Sequence, residues 1–447
     1  MSHTLTEVAE QERELKDLVA GILDEARRQG ASAAEVSVSE DEGLTVSVRQ
    51  RDLETVEFNR DRGFGITVYV GDRKGSASTS DASPEAVRTT VRAALAIARH
   101  TGRDPCNGLA DRERIATEWP ELDLYHPWNV APDDLRDLAL EMEAAGLDHD
   151  PRIVNSEGAQ MSTQRGCRVY GNSHGFLGAT RATRHGGTCV MIARDDRGMQ
   201  RDYWYSVARD AADLEDHVGV GEQAAARTVA RLGARSVTTG SWPVLFTPRI
   251  AAGLLGHLMG AISGGALYRR ASYLVDALGR DVAAKSITLA EYPHLPKALG
   301  SAGFDGDGVA TSGKAFVENG RLTSYVLDTY AARRLGMETT GNAGGVFNLA
   351  VECDAVAPEA LMEEMGTGLV VNELMGQGVN LVSGDYSRGA AGVWVEGGKP
   401  AFPVDEITIA SSLDVMFKGI AGVGTDVDTR GNIRTGSVLV SSMTVAA

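Results

Sequence analysis

The chain has 447 residues, 43% of them hydrophobic and 23% charged, which is ordinary globular usage. Its 44 Lys and Arg against 61 Asp and Glu leave a net charge of −17, which opposes DNA or RNA as the main partner because phosphate binding rests on basic side chains. The four cysteines, Cys106, Cys167, Cys189 and Cys353, form no CxxC pair, and no run of 18 uncharged apolar residues could span a bilayer. A zinc ribbon, a disulfide framework and a membrane anchor are therefore not expected, and the cytosol is the expected location.

From the amino terminus, a charged amphipathic pattern predicts a helix over about residues 6–29, ended by Gly30. Four short alternating runs follow, AEVSVSE, GLTVSVRQ, LETVEFN and GITVYVG, which read as a strand meander. Ser83 as N-cap, Pro84 at the first helical position and Glu85 in the first turn predict a helix to about His100. Residues 102–131, rich in Pro, Asp and polar groups, read as a connector. A helix is expected at about 132–147. Strands are expected at RIVNSEG, QMSTQRGCRVYGN, GFLGATRATRHGGTCVMIARD and MQRDYWYSVARD, with a helix at about 219–232.

The last segment predicts strand PVLFTP and a helix from about Pro248. Further strands are expected at ITLAEY, the KAFVENGRLTSYVLD hairpin, GLVVNEL, VNLVSGDYS, AGVWVEGGKPAFPV, EITIA and GSVLVSSMTV. The expected class is α+β: N-terminal helix and antiparallel-sheet layers followed by a strand-rich C-terminal domain. The division expected is 1–120 as an N-terminal domain, 121–235 as a central α+β segment packed with it, and 236–447 as the C-terminal domain.

Four motifs touch on chemistry. Gly171-Asn172-Ser173-His174-Gly175 fits GxSxG, but a nucleophile elbow needs a helix after the serine, and here a strand-like run follows, so a hairpin loop is expected. Residues 308–315 approach a P-loop but end in Ala315, which has no hydroxyl for magnesium. Asp426 and Asp428 open an EF-hand-like run that has Arg430 where an oxygen ligand belongs. Asp305 and Asp307 read as solvated turn aspartates rather than a cation site. His174 and His185 lack a third ligand, and there is no GxGxxG and no His-Glu dipeptide.

Several longer blocks carry a resemblance: GHLMGAISGGALYRRASYLVDALG (256–279), GFGITVYVGDRKGSASTSDASPEAVRTTVRAAL (63–95), GNSHGF, TTGNAGG (339–345), ELMGQGVNLVSGDYSRGAAGVWVEGG (373–398) and TRGNIRTGSVLV (429–440). From about residue 35 to its end, the chain resembles the TldE or PmbA branch of the TldD/PmbA metallopeptidase family, also labelled modulator of DNA gyrase. The TldD branch of that family has an HExxxH helix and a cysteine ligand near the carboxyl terminus. The resemblance sets Gly256 at the first histidine, His257 at the glutamate and Ala261 at the second histidine, with Gly260 matching the glycine before it. The stretch TDVDTRGNIRTGSVL holds no cysteine.

A catalytic zinc takes about three N, S or O ligands and an open position for water. A hydrogen and a methyl at the two histidine positions supply none. The expectation is therefore a chain with no catalytic residues, no metal ligands and no cofactor of its own. What the resemblance implies is a non-catalytic TldE-type subunit paired with a zinc-bearing TldD-type homologue, or a homodimer when alone, acting on unfolded protein or peptide. Such pairs are linked to proteolysis, peptide maturation and antitoxin turnover. His257, Asp385, Tyr386 and Arg388 are the candidate peptide or partner contacts. The alternatives are an independent hydrolase with a site of its own and a non-enzymatic regulator of gyrase acting through a protein partner.

Overall fold

The structure, a computed structural model, describes residues 5–447. Helix α1 (Leu5–Arg28) leads into an antiparallel six-stranded sheet. Its strands are β1 (Ala33–Arg49), β2 (Asp52–Val70), β3 (Arg73–Thr79), β4 (Ile153–Asn172), β5 (Leu177–Arg194) and β6 (Met199–Ala208), in the spatial order β3-β2-β1-β4-β5-β6. Helix α2 (Pro84–His100) follows β3, helix α3 (Pro132–Asp148) precedes β4, and helix α4 (His217–Ala230) follows β6. Ser83 caps α2 as expected, its Oγ accepting from the Ala86 amide at 3.3 Å. The stretch between α2 and α3 is irregular apart from one short turn of helix.

All four helices lie on one sheet face. Val36 and Val38 are buried with Leu15, Val19 and Ile22 of α1 and Val91 and Leu95 of α2. Ten residues further along the same strand, Val46 and Val48 are buried with Leu135 and Met142 of α3 and Val220 of α4. Side chains two apart share a face, so one seventeen-residue strand serves both helix pairs. At the closest approach of α3 and α4, a Cβ on Gly221 would stand 2.0 Å from the Met142 carbonyl oxygen. Only glycine lets these helices come so near.

This arrangement corrects the expected four-strand meander, which is two long strands. Between the helix pairs neither covers the sheet, and the polar run Glu40-Asp41-Glu42-Gly43 sits there, paired in register with β2 on one side and β4 on the other. Its charges are matched across the strands: Glu40 accepts from Arg60 at 2.7 Å, and Glu42 from Arg165 Nε at 2.9 Å. The same polarity made RIVNSEG and QMSTQRGCRVYGN look separate, but they form the single strand β4, with bulges near Ile153 and Ser156.

The real β1–β2 turn is Gln50-Arg51, both left-handed at φ 55° and 63°. Neither is glycine. Glu143, fully buried on α3, receives the Gln50 amide at 2.9 Å and the Arg51 amide at 2.7 Å, and also bonds the Ser156 hydroxyl. A tertiary carboxylate thus holds a turn that local sequence does not favour.

The C-terminal part begins with β7 (Gly240–Phe246) and helix α5 (Pro248–Ala261). A five-stranded sheet follows from β8 (Thr288–Glu291), β9 (Lys314–Glu318), β10 (Arg321–Leu322), β11 (Leu349–Glu352) and β17 (Ile433–Arg434). Strands β12 (Gly368–Met375), β13 (Val379–Asn380), β14 (Asp385–Glu396), β15 (Lys399–Ser412), β16 (Ile420–Val423) and β18 (Val438–Ala446) join β7 in a seven-stranded sheet. The expected hairpin at Asn319-Gly320 is present as β9–β10. The expected strand VNLVSGDYS is not continuous: β13 has two residues, and residues 381–384 turn into β14. AGVWVEGGKPAFPV and EITIA form one hairpin, β14–β15, turning at Gly397-Gly398, both with positive φ.

The largest apolar cluster joins α5 to both C-terminal sheets. Arg430 ties this part to β6: its guanidinium lies 4.3 Å from the Trp204 ring centre and 4.5 Å from that of Tyr205, and it donates to the Tyr205 carbonyl at 2.7 Å. Among the described residues, no helix is long and apolar enough to cross a membrane.

Replacing Glu143 by Ala leaves two turn amides without an acceptor and is expected to destabilise the protein by about 3 kcal/mol. Thermal melting checks this, and an unchanged midpoint would contradict the role given to Glu143.

Candidate functional site

Helix α5 starts at Pro248, whose fixed φ suits the first helical position. It buries Ile250, Leu254, Leu255, Leu258 and Met259. It runs as α-helix through Ala261, and on such a helix two residues five apart point about 140° away from each other. Ala261 is fully buried in the core. On Gly256, an added Cβ would meet Ile433 Cδ1 of β17 at 3.7 Å, and on Gly260 it would meet Leu381 Cδ1 at 3.3 Å. The carboxyl-terminal segment therefore does lie against this turn of α5, and it brings an alkyl side chain there.

His257 is half-buried on the same turn. Its ring stands 6.2 Å from that of Tyr386, nearly edge to face. Burial, with the Arg388 charge nearby, lowers its pKa below the ordinary 6.5. Tyr386 is 1% exposed, and its hydroxyl has no hydrogen-bond partner. Burial pushes that phenol up to about 12. Arg388 donates from Nε to the Met375 carbonyl at 3.2 Å. Asp385 is exposed and accepts from the Ser383 hydroxyl at 2.6 Å.

The structure therefore gathers His257, Tyr386 and Arg388 and leaves Asp385 outside the group. Asp385, Tyr386 and Arg388 lie at the start of strand β14.

The donor set on α5 does not fit a catalytic zinc. His257 offers one imidazole, Gly256 and Ala261 offer nothing, and Ile433 fills space beside Gly256. Among the described residues, no three His, Cys, Asp or Glu side chains converge as metal ligands elsewhere.

The other motifs resolve into local structure. Ser173 lies in the β4–β5 hairpin loop, its Oγ accepting from the Ala34 amide at 3.0 Å, and a strand rather than a helix follows. His174 bonds the Ala110 carbonyl, and His185 bonds Thr163 and the His126 carbonyl. Asp305 is not a solvated turn residue: it is 4% exposed and accepts the amides of Asp307, Val309 and Ala343, each at 2.9 Å. Its pKa is raised to about 6, mainly by burial.

Sequence reading missed a cleft of about 1010 Å³. Its floor is the helix-free face of the six-stranded sheet, and its roof is formed by Phe304–Asp307, Ala343, Gly344 and Phe347. The available signal was the set of polar residues at alternate positions of β1, Glu35, Ser37, Ser39 and Asp41, all of which line it.

Models for the PmbA/TldA metallopeptidase match domain 1 over residues 34–98, the central domain over 125–232 and the C-terminal domain over 239–447. The chain is 46% identical to the metalloprotease PmbA of Escherichia coli O157:H7, over 99% of this chain and 98% of that one. It is 44% identical to the metalloprotease PmbA homolog of Haemophilus influenzae, over 98% and 97%. The chain belongs to the PmbA/TldD family. A crystal structure of a modulator of DNA gyrase from Bacteroides thetaiotaomicron superposes with a TM-score of 0.92 at 26% identity, covering 97% of this chain and 99% of that one. TldE from Thermococcus kodakarensis shares the fold, with a TM-score of 0.84 at 20% identity over 96% and 100%.

The His257 ring is expected to titrate below 6.5 by NMR, and Arg388→Gln is expected to move the midpoint upward. No change on removing the arginine charge would contradict their proximity. Tyr386→Phe removes a buried hydroxyl that has no partner. It is expected to leave stability unchanged or raise it by up to about 1 kcal/mol; a clear drop in melting temperature would reveal a bond the structure lacks.

Proposed function

We propose that this chain is the non-catalytic, TldE-type subunit of a cytosolic TldD/TldE metallopeptidase that acts on unfolded protein or peptide. The observation that carries the reading is the donor-poor turn of α5, where Gly256 and Ala261 stand beside His257 and Ile433 approaches from the carboxyl-terminal segment. Without bound metal, no group there lowers the pKa of water toward neutrality, so a hydrolytic nucleophile has to come from another chain. A TldD-type homologue, holding the zinc, supplies it in this reading. The chain contributes binding surface: the long sheet, its cleft and its edges suit an extended peptide, which can pair with strands through main-chain hydrogen bonds.

Co-expression with the TldD-type homologue of the same organism tests the reading. The two chains are expected to co-purify, and only the mixed complex is expected to cleave an unfolded substrate such as casein. Cleavage by this chain alone at a rate comparable to the mixture, or failure of the two to associate, would overturn it.

A further inference from the structure

Four acids and several arginines line the cleft over the six-stranded sheet, and the two kinds of group are not equally engaged. Glu35 is held by two phenols, Tyr69 at 2.9 Å and Tyr170 at 2.8 Å. Asp305 is bonded by three amides, and Asp307 accepts the Thr329 amide at 2.9 Å. These three acids sit together at one end, where the bonds of Asp305 and Asp307 hold the roof loops in place; the fourth, Asp41, lies further along β1, in register between Arg168 and Arg184.

Arg168, Arg184 and Arg209 line the other part of the cleft. Among the described residues, none of the three has a carboxylate within the 4.0 Å ion-pair distance. In a chain of net charge −17, one cavity thus holds three arginines outside any ion pair. Asp41, whose carboxyl feels the Arg168 charge, remains outside that distance. Arg209 donates to the Thr183 and Leu299 carbonyls at 3.0 and 2.9 Å, while its buried Nε has no acceptor. Burial and the neighbouring Arg184 both work against its charge. An anion at this end would relieve that repulsion.

Register sets the dimensions. Glu35 pairs with Asn172, Ser39 with Arg168, and Gly43 with Gln164, which in turn pairs with Arg184. The acid end and the Arg184 end are therefore eight residues apart along β1, about 27 Å at 3.4 Å per residue. Arg168 lies about midway. Between them the floor carries Ser37, Ser39, Thr180 and the carboxylate of Asp41, and a Cβ on Gly65 would meet nothing within 4 Å. A compact anion fills little of this groove, whereas an extended chain of about eight residues matches its length.

We propose that the cleft is a binding groove for extended acidic peptide segments, whose carboxylates pair with Arg168, Arg184 and Arg209. The proposal rests on the peptide-handling role above and adds a preference to it: substrates rich in Asp and Glu are gathered on this subunit. Arg168 and Arg184 are the specificity-determining residues, because their side chains are otherwise uncommitted. Arg209, bound to two carbonyls, also supports the fold.

The test uses the purified full-length chain and fluorescein-labelled ten-residue peptides followed by anisotropy at low salt. One peptide alternates Glu with Gly and Ser, and the other carries Lys at the same places. The acidic peptide is expected to bind at least about tenfold more tightly, with affinity falling as salt rises. The double variant R168E/R184E is expected to lose the acidic peptide and gain the basic one, a reversal that a misfolded protein would not show. Equal affinity for the two peptides, an unchanged preference in the double variant, or full displacement by millimolar inorganic phosphate would overturn the groove. These readouts need no partner chain. Failure here with intact cleavage by the mixed complex removes only this inference, and peptide binding without association of the two chains removes only the subunit reading.

Discussion

In strands of seventeen to twenty residues, every second side chain has to find an environment on the same face over a length greater than one helix can cover. That constraint organises the N-terminal half of this protein. One face is divided between two helix pairs, with a charged gap between them where Glu40 and Glu42 meet Arg60 and Arg165. The opposite face carries no helix, its side chains are largely polar or charged, and a cleft forms there against the C-terminal loops. The sheet is at once the core of two helical layers and the floor of a groove.

The C-terminal half is built around an apolar cluster, with α5 at its centre. The turn of α5 that carries Gly256, His257 and Gly260 is packed by Ile433, Leu381 and the Tyr386 ring region. Alkyl groups and one half-buried imidazole favour packing over coordination. A lone neutral histidine next to an arginine has no means of holding a divalent ion against water.

Much of the architecture was legible in the sequence because it is written locally. Ser83-Pro84-Glu85 marks the start of α2, Asn319-Gly320 marks a hairpin, and the patterns of α1, α3 and α5 carry helical period. The long strands were legible only in pieces. A polar stretch inside a strand looks like a turn unless the arginines that neutralise it from neighbouring strands are known, and the true turn at Gln50-Arg51 is held by Glu143, over ninety residues away in the chain. The turn of α5 was found through family likeness, since nothing in the spacing of Gly256, His257 and Ala261 points to a site. The cleft arginines were out of reach because they lie on three different stretches of chain and meet only through sheet register. His257, Tyr386 and Arg388 come together for a similar reason: β14 passes beside α5, and no local pattern announces it.

In the proposed reading, this polypeptide does not grip a hydrolytic metal. The most direct measurement is the metal content of the isolated chain, by plasma mass spectrometry, after incubation with excess zinc and desalting. The account predicts far less than one zinc per chain, with no difference between the native protein and His257→Ala. One tightly held zinc per chain that is lost on replacing His257 would contradict it.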